Sequence, residues 1–368
     1  MIRASRITES EEKSVDKRNQ GNRSLEDLRS LEAVRALGVD PERPFGSAEH
    51  AEILAGYTTD IYFVKSLEML QHLGLDDTPV TAEVFANRAG ILCGMDESIR
   101  LLRGRVDEAW ALPDGSEFDS KEVVLRIRGS YGGFGITETP LLGLLASSSG
   151  WASRAREVKA AAGDKLAICF GARHLHPAVA PVMERASLVG GMDGCSCILA
   201  ARQAGVMPVG TIPHAAILIA GDTVTIAKTY HEIMPEGESR TILVDTFKDE
   251  AEESLRVAEA LGEHLDAVRL DTPSERGRVT PELVREVRAR LDMSGFEWVK
   301  VFCSGGLDPE RIKELSEAGA DGFGVGSYIA SAPAIDMTMD IKEVGGQAVA
   351  KRGRIPGLSD TDRLKRVL

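Results

Sequence analysis

From residue 166 onward the chain repeats one pattern: a short apolar run, a glycine or polar cluster, then a helical stretch. The runs are LAICFG (166–171), LVGGMDG (188–194), VMPVGTIPH (206–214), TILVDTF (241–247), AVRLDTP (267–273), VKVFCSGG (299–306) and GFGVGS (322–327). Helical patterns such as DEAEESLRVAEALGEHL and PELVREVRARL separate them. Short apolar strands alternating with helices imply a parallel sheet covered on both faces. About seven such units favour closure into an irregular, TIM-like α/β barrel. The doubly wound alternative lacks its mark, because no strand leads into an early G-x-G-x-x-G.

The rest of the chain is organised differently. Residues 1–44 are charged and polar, with a predicted helix over 24–38 built on Leu25, Leu28, Leu31 and Val34 and ended by Gly38. This segment is a polar tail with one short helix, or an arm that docks a partner. Residues 45–140 read as an α+β domain. HAEILAGYTTDIYFVKSLEMLQHLGL is a turn and an amphipathic helix, and PVTAEVFA, AGILCGMDESIRLLRG, VDEAWALPDGSEF and EVVLRIRG are short strands and turns. Residues 335–368 are available to complete that domain. LLGLLASSSGWASRAREVKAAAG opens the barrel domain, residues 141–335, as a helix.

Composition narrows the function. With 368 residues, the chain is long enough for about two or three domains. A net charge of -13 is the wrong sign for a general phosphate-backbone binder, so no nucleic-acid partner is expected. No apolar run approaches a membrane span, and MIRASRITESEEK has no signal-peptide core. Five cysteines without regular spacing make no disulfide framework. The expected setting is a reduced cytoplasm, with no membrane partner.

Chemistry is concentrated at the strand ends, where α/β barrels build their sites. The predicted strands deliver Phe170, Gly171 and Arg173; Asp193; Thr211 and His214; Asp245; Arg269 and Asp271; Ser304, Gly305 and Gly306; then Gly324, Gly326 and Ser327. Two adjacent glycine loops late in a barrel, with a helix starting near Asp308, form a phosphate cradle or else two tight turns. Asp245 and Asp271 can hold ribose hydroxyls or a hydrated Mg2+, or can cap helices. Arg173 and Arg269 offer forks for a carboxylate or phosphate. His214 is a nucleophile, a proton carrier or a structural residue. The C-x-C pair Cys195 and Cys197 reads as core packing, and HLH at 174–176 has no matching ligand cluster.

Several segments together resemble the nicotinate phosphoribosyltransferase family, and its shorter archaeal and bacterial branch in particular. They are TTDIYFVKSLEML, YGGFGITETPLLGLLASSSGWAS, FGARHLHPAVAPVMERASLVGGMDGCSCILAARQAGVMPVGTIPHAAI, ILVDTF, VRLDTPSERG and the SGG/GVGS pair, in the family's order over roughly residues 50–340. The resemblance implies a type II phosphoribosyltransferase. It would join nicotinate to phosphoribosyl pyrophosphate (PRPP), giving nicotinate mononucleotide and pyrophosphate in NAD biosynthesis. Mg2+ would assist, and a phosphorylated histidine would couple the transfer to ATP, as in a ligase. It implies that His214 holds the histidine's place. Phe170 and Arg173 would stack on and pair with the pyridine carboxylate, with Asp193 near the ring. Asp245 and Asp271 would contact ribose and Mg-pyrophosphate, and Thr211 and Arg269 the substrate. Ser304, Gly305, Gly306, Gly324, Gly326 and Ser327 would cradle the 5′-phosphate. Asp60 and Tyr62 would reach a neighbour's site in a homodimer or higher even oligomer. With no cysteine after Cys303, the zinc cluster of some short members is not expected. Ala215 follows the histidine where many members have Ser or Glu, which bears on ATP coupling. Nicotinamide or quinolinate transfer, or a metabolite-binding paralogue without turnover, use the same framework.

Overall fold

The computed structural model describes residues 25–368. The N-terminal unit contains helices α1 (Leu31–Ala36), α2 (His50–Leu54), α3 (Ile61–Leu73), α4 (Met95–Leu102) and α5 (Tyr131–Phe134). Its strands are β1 (Pro79–Ala86), β2 (Gly90–Ile91), β3 (Glu108–Ala111), β4 (Glu117–Phe118) and β5 (Val123–Ser130). A 25-residue helix, α6 (Glu138–Ala162), leads out of it.

The second unit runs β6 (Leu166–Cys169), α7 (Ala180–Val189), β7 (Gly194–Cys195), α8 (Ile198–Gln203), α9 (His214–Ala220) and α10 (Thr223–Ile233). It continues through β8 (Thr241–Leu243), α11 (Glu250–Leu261), β9 (Ala267–Leu270), α12 (Pro281–Met293), β10 (Lys300–Ser304), α13 (Pro309–Glu317), β11 (Gly322–Val325) and α14 (Ser327–Ala330). The chain then returns to the first unit as β12 (Met337–Val344), β13 (Gln347–Ala348) and β14 (Lys365–Arg366). Those strands enter an antiparallel sheet of order β13-β12-β1-β5-β3-β14.

The second sheet is parallel, six-stranded and open, in the order β7-β6-β11-β10-β9-β8. The expected seven-stranded closed barrel is therefore a curled half-barrel. The missing strand is VMPVGTIPH. Val209 N–H donates to Cys195 O at 2.9 Å, but Pro208 and Pro213 have no N–H with which to build a ladder. The segment forms no strand and leads through the extended Pro213 into α9. Burial of β10 and β11 on nearly every residue is what made the other runs legible.

Three further expectations change. LVGGMDG is the end of α7 and a turn, so only Gly194 of that run lies in β7. AGILCGMDESIRLLRG contains α4, whose Met95, Ser98, Leu101 and Leu102 are buried at helical spacing. The helix predicted over 24–38 spans only Leu31–Ala36, because Ser30 caps Ala33 N–H and Leu28 N–H pairs with Ala55 O instead. The tail before residue 25 lies outside the described residues.

Two apolar cores form, and α6 belongs to both. Leu141 and Leu145 pack with Leu92, Leu125 and Ile127 of the first unit. Trp151, Ala152, Ala155 and Val158 pack with Ala167, Phe323 and Val325 of the second. Each loop after β8, β9 and β10 ends in a helix cap: Asp249 accepts from Ala251 and Glu252 N–H, Thr280 from Leu283, and Asp308 from Arg311. Such caps are worth ~1 kcal/mol each and fix the far ends of the loops that carry the cleft.

Candidate active site

A cleft of about 360 Å³ opens at the C-terminal ends of the parallel strands. Phe170, Arg173, Thr211, Arg269, Asp271, Ser304, Gly305, Gly306, Gly324, Gly326 and Ser327 line it, together with Ala172, His174, Ser196 and Gly210. Its floor is a polar network. Arg269 donates to Asp271 Oδ2 at 3.0 Å, Ser304 Oγ at 2.9 Å and Thr211 Oγ1 at 2.7 Å. Ser304 in turn donates to Asp271 Oδ1 at 2.8 Å. The Arg269 guanidinium lies 5.3 Å from the Phe170 ring centroid, a cation–π distance. Arg269 and Ser304 are thus committed to holding Asp271, rather than presented to a phosphate as the sequence led one to expect.

The glycines divide into two kinds. Gly305 and Gly306 have φ of +93° and +65°, a left-handed pair that turns backbone toward the cleft. Gly324 lies within β11, and a Cβ there would stand 2.4 Å from Phe170 Cε2. Its lack of a side chain makes room for the Phe170 ring.

At the edge of the cleft, His214 opens α9. Its Nδ1 lies 3.0 Å from Thr246 Oγ1. Its Nε2 lies 3.6 Å from Asp245 Oδ2 and 3.9 Å from Asp271 Oδ2. The Asp245 side chain is 1% exposed, and neither oxygen has a hydrogen-bond partner. Burial pushes its carboxyl above the ordinary range; His214 opposes this, and the Asp271 and Glu250 charges add to it. An orphaned buried carboxylate beside a second one is a feature that a ligand or cation resolves. Among the described residues no three acidic, histidine or cysteine side chains gather as a metal cage. Two carboxylates do fit Mg2+, which keeps waters and takes most of its oxygens from phosphates.

Glu184 was not anticipated. It is fully buried, and accepts from Ala172 N–H at 2.9 Å, Ser196 Oγ at 3.0 Å and Cys197 N–H at 2.5 Å. It therefore ties together the loops after β6 and β7, which carry Phe170, Arg173, His174 and Ser196. A signal existed: Ala180, Met183, Glu184 and Ser187 form one helical stripe, and a charge on an apolar stripe calls for partners.

Three predicted residues lie elsewhere. Asp193 precedes β7 instead of ending it, so it sits at the opposite, N-terminal edge of the sheet. There it accepts Ala167 N–H at 2.8 Å and pairs with Lys159 at 2.8 Å. Asp266 and Asp321 repeat the device, accepting Arg240 and Val301 N–H from neighbouring strands. Asp193 is an edge pin, not a ring contact. Asp60 precedes α3 without a side-chain capping bond; its N–H donates to Thr139 Oγ1 at 3.1 Å, and its carboxylate accepts from that hydroxyl at 3.0 Å. Tyr62, 55% exposed, lines a separate hollow with Tyr131 and Glu138. Neither borders the cleft of its own chain.

A left-handed double-glycine turn and paired carboxylates thus meet at the open end of a parallel half-barrel with an appended antiparallel sheet. Two family models match in series: the N-terminal domain of quinolinate phosphoribosyl transferase over residues 60–149 and its C-terminal domain over 151–340. The chain belongs to this family of type II phosphoribosyltransferases, which act on quinolinate or nicotinate. Nicotinate phosphoribosyltransferase pncB2 of Mycobacterium tuberculosis is 33% identical over 268 residues, 70% of this chain and 56% of that relative. The chain thus spans little more than half of that curated relative. A solved structure named nicotinate-nucleotide pyrophosphorylase from Pyrococcus furiosus aligns with a TM-score of 0.82 and 45% identity, covering 86% of this chain and 82% of that one. Human nicotinic acid phosphoribosyltransferase shares the fold, with a TM-score of 0.61 and 19% identity, covering 82% of this chain and 77% of that one. No helix among the described residues is long and apolar enough to cross a membrane.

Proposed function

We propose that the chain is a nicotinate phosphoribosyltransferase that joins nicotinate to PRPP and supplies a pyridine nucleotide to NAD biosynthesis. The observation that carries this reading is the charge inventory of the cleft. Of its two arginines, Arg269 is spent on Asp271, whereas Arg173 pairs with no carboxylate among the described residues. One guanidinium without a carboxylate partner, in a cleft that the Phe170 ring also lines, suits a planar base with one carboxylate.

The pyridine nitrogen attacks C1 of the ribose, the C1–O bond to pyrophosphate breaks, and pyrophosphate leaves with the electron pair. The nitrogen needs no base. The chain's own task is to orient the partners and to stabilise positive charge growing at C1, a role that Asp271 and the unpaired Asp245 would fill; their closeness to His214 and the missing partners of Asp245 support it. Bound Mg2+ would neutralise the leaving pyrophosphate, held by Asp245 and Asp271. Gly305, Gly306, Gly326 and Ser327 would hold the 5′-phosphate. Phosphorylation of His214 by ATP would supply free energy to the transfer; Ala215 leaves that coupling to experiment. Asp60 and Tyr62, away from their own chain's cleft, fit a homodimer in which each reaches its partner's site.

Quinolinate transfer is the second reading, favoured by the family model and by the name of the 45% identical structure. It would release carbon dioxide as well. The test is pyrophosphate release by the purified protein with PRPP and Mg2+, with nicotinate, quinolinate and nicotinamide offered separately, each with and without ATP. Release with nicotinate alone, stimulated by ATP in wild type but not in His214→Ala, is the expected result. Release with quinolinate, with labelled carbon dioxide, would replace the reading.

A further inference from the structure

The loop after β9 carries an arginine that the reading above leaves unused. Arg278 has φ +67°, a left-handed backbone that costs a side-chain-bearing residue energy, and it follows Gly277 at +91°. The conformation is imposed from both sides. Arg278 N–H donates to Pro273 O at 3.1 Å, and Arg311 of α13 donates to Val279 O at 2.7 Å. Non-glycine residues held in this region collect at functional sites, where surrounding structure offsets the strain.

The consequence of the strained loop is a placement. The Arg278 guanidinium lies on the double-glycine turn, with Nη1 3.3 Å from Gly306 O and 2.2 Å from where a Cβ on Gly306 would stand. Any side chain at 306 would expel it. That hydrogen bond is long and exposed, and Arg278 forms no ion pair among the described residues. The guanidinium therefore keeps most of its donors beside a turn whose two glycines line the cleft.

Charge balance also calls for a cation here. Helix α13 follows the turn, but Asp308 already occupies its start and takes Arg311 N–H at 2.9 Å. A carboxylate at that point opposes a phosphate, and it uses a donor the phosphate would otherwise take. The turn needs positive charge from another element, and the loop after β9 brings it.

We propose that Arg278 is a phosphate-binding residue of this cleft, gripping the phosphate monoester of a sugar phosphate held at Gly305–Gly306. The identity of that ligand rests on the phosphoribosyl reading above. A planar fork with free N–H groups suits a phosphate dianion, and lysine replaces it only as a point charge.

Arg278→Gly is the decisive variant. It removes the guanidinium and the left-handed penalty together, so it folds with a melting temperature no lower than wild type. The full-length proteins would be titrated calorimetrically with ribose 5-phosphate and assayed for pyrophosphate release over a range of PRPP. Losing charged hydrogen bonds should weaken ribose 5-phosphate binding and raise KM for PRPP roughly 10- to 100-fold, with kcat and KM for the base little changed. Arg278→Lys should fall between the two. A glycine variant that melts normally and binds ribose 5-phosphate as wild type does overturns the proposal. Wild type that binds ribose 5-phosphate but releases no pyrophosphate with any base sinks the transferase reading, and the titration still decides Arg278. Wild type that binds neither ribose 5-phosphate nor PRPP overturns both.

Discussion

Asp245→Asn should make the protein more stable while removing turnover. The side chain is 1% exposed, neither oxygen accepts a hydrogen bond, and the His214 imidazole Nε2 is 3.6 Å away. Burial raises its pKa above the unfolded value, so the native state takes up this proton more readily than the unfolded chain does. Stability therefore falls as pH rises from the unfolded carboxyl pKa through the native one, and at neutral pH the charged form is penalised. Replacing an unsatisfied buried group by a neutral isostere should return ~1–3 kcal/mol. For 368 residues at ~2.1 cal/mol/K each, the unfolding entropy is roughly 0.8 kcal/mol/K, so Tm should rise by about 1–4 °C. Scanning calorimetry at pH 7.5 and pH 4 tests this: the gain should appear at the higher pH and shrink at the lower, as wild-type Asp245 takes up the proton that burial favours. Turnover should fall roughly 100- to 1000-fold, as when a group facing transition-state charge is lost. A lower Tm at pH 7.5, or an equal gain at both pH values, would refute the orphaned carboxylate. Full activity would refute its place in the chemistry.

Two other substitutions test separate parts of the structure. Glu138 is pushed up to about 7 by burial, with Lys351 opposing and Asp340 adding; its penalty sets in as pH rises from the unfolded carboxyl range through 7. Glu138→Gln should thus melt with wild type at pH 4, gain progressively to pH 7 and hold that gain above it; a pH-independent difference in thermal melts would sink this. Gly324→Ala puts a Cβ 2.4 Å from Phe170 Cε2 and 3.2 Å from Phe302 Cε1. It should cost ~1–3 kcal/mol in denaturant titration, and should raise KM for the pyridine base more than for PRPP; unchanged KM for the base would remove Phe170 from the base pocket.

The parallel strands were legible because residues buried on both faces leave uninterrupted apolar runs, as in VKVFCS and GFGV. The glycine turn and the strand-end positions of Asp271 and Arg269 were legible, but the ion pair between those two was not. VMPVGTIPH misled because its apolar content is that of a strand, while its prolines deny it a ladder. Asp193 misled because a two-residue strand leaves no run long enough to show where it begins, so a residue before the strand was taken for one after it. Glu184 looks like a surface charge in VMERASL, and its three partners lie 12 or 13 residues away. Asp60 and Tyr62 lie away from the cleft because α3 packs on the first unit, which their sequence neighbourhood did not reveal.

The shared helix α6 has a consequence for how this chain comes apart. The two family models divide near residue 150, in the middle of a helix that runs from Glu138 to Ala162. A cut there would leave one fragment with Leu141 and Leu145 on a frayed stub and the other with Trp151 and Ala155 lacking a start. Neither half could close its own core. The recognisable modules are units of descent, but the physical unit is the pair, and heat or denaturant should find one cooperative transition where the sequence shows two pieces.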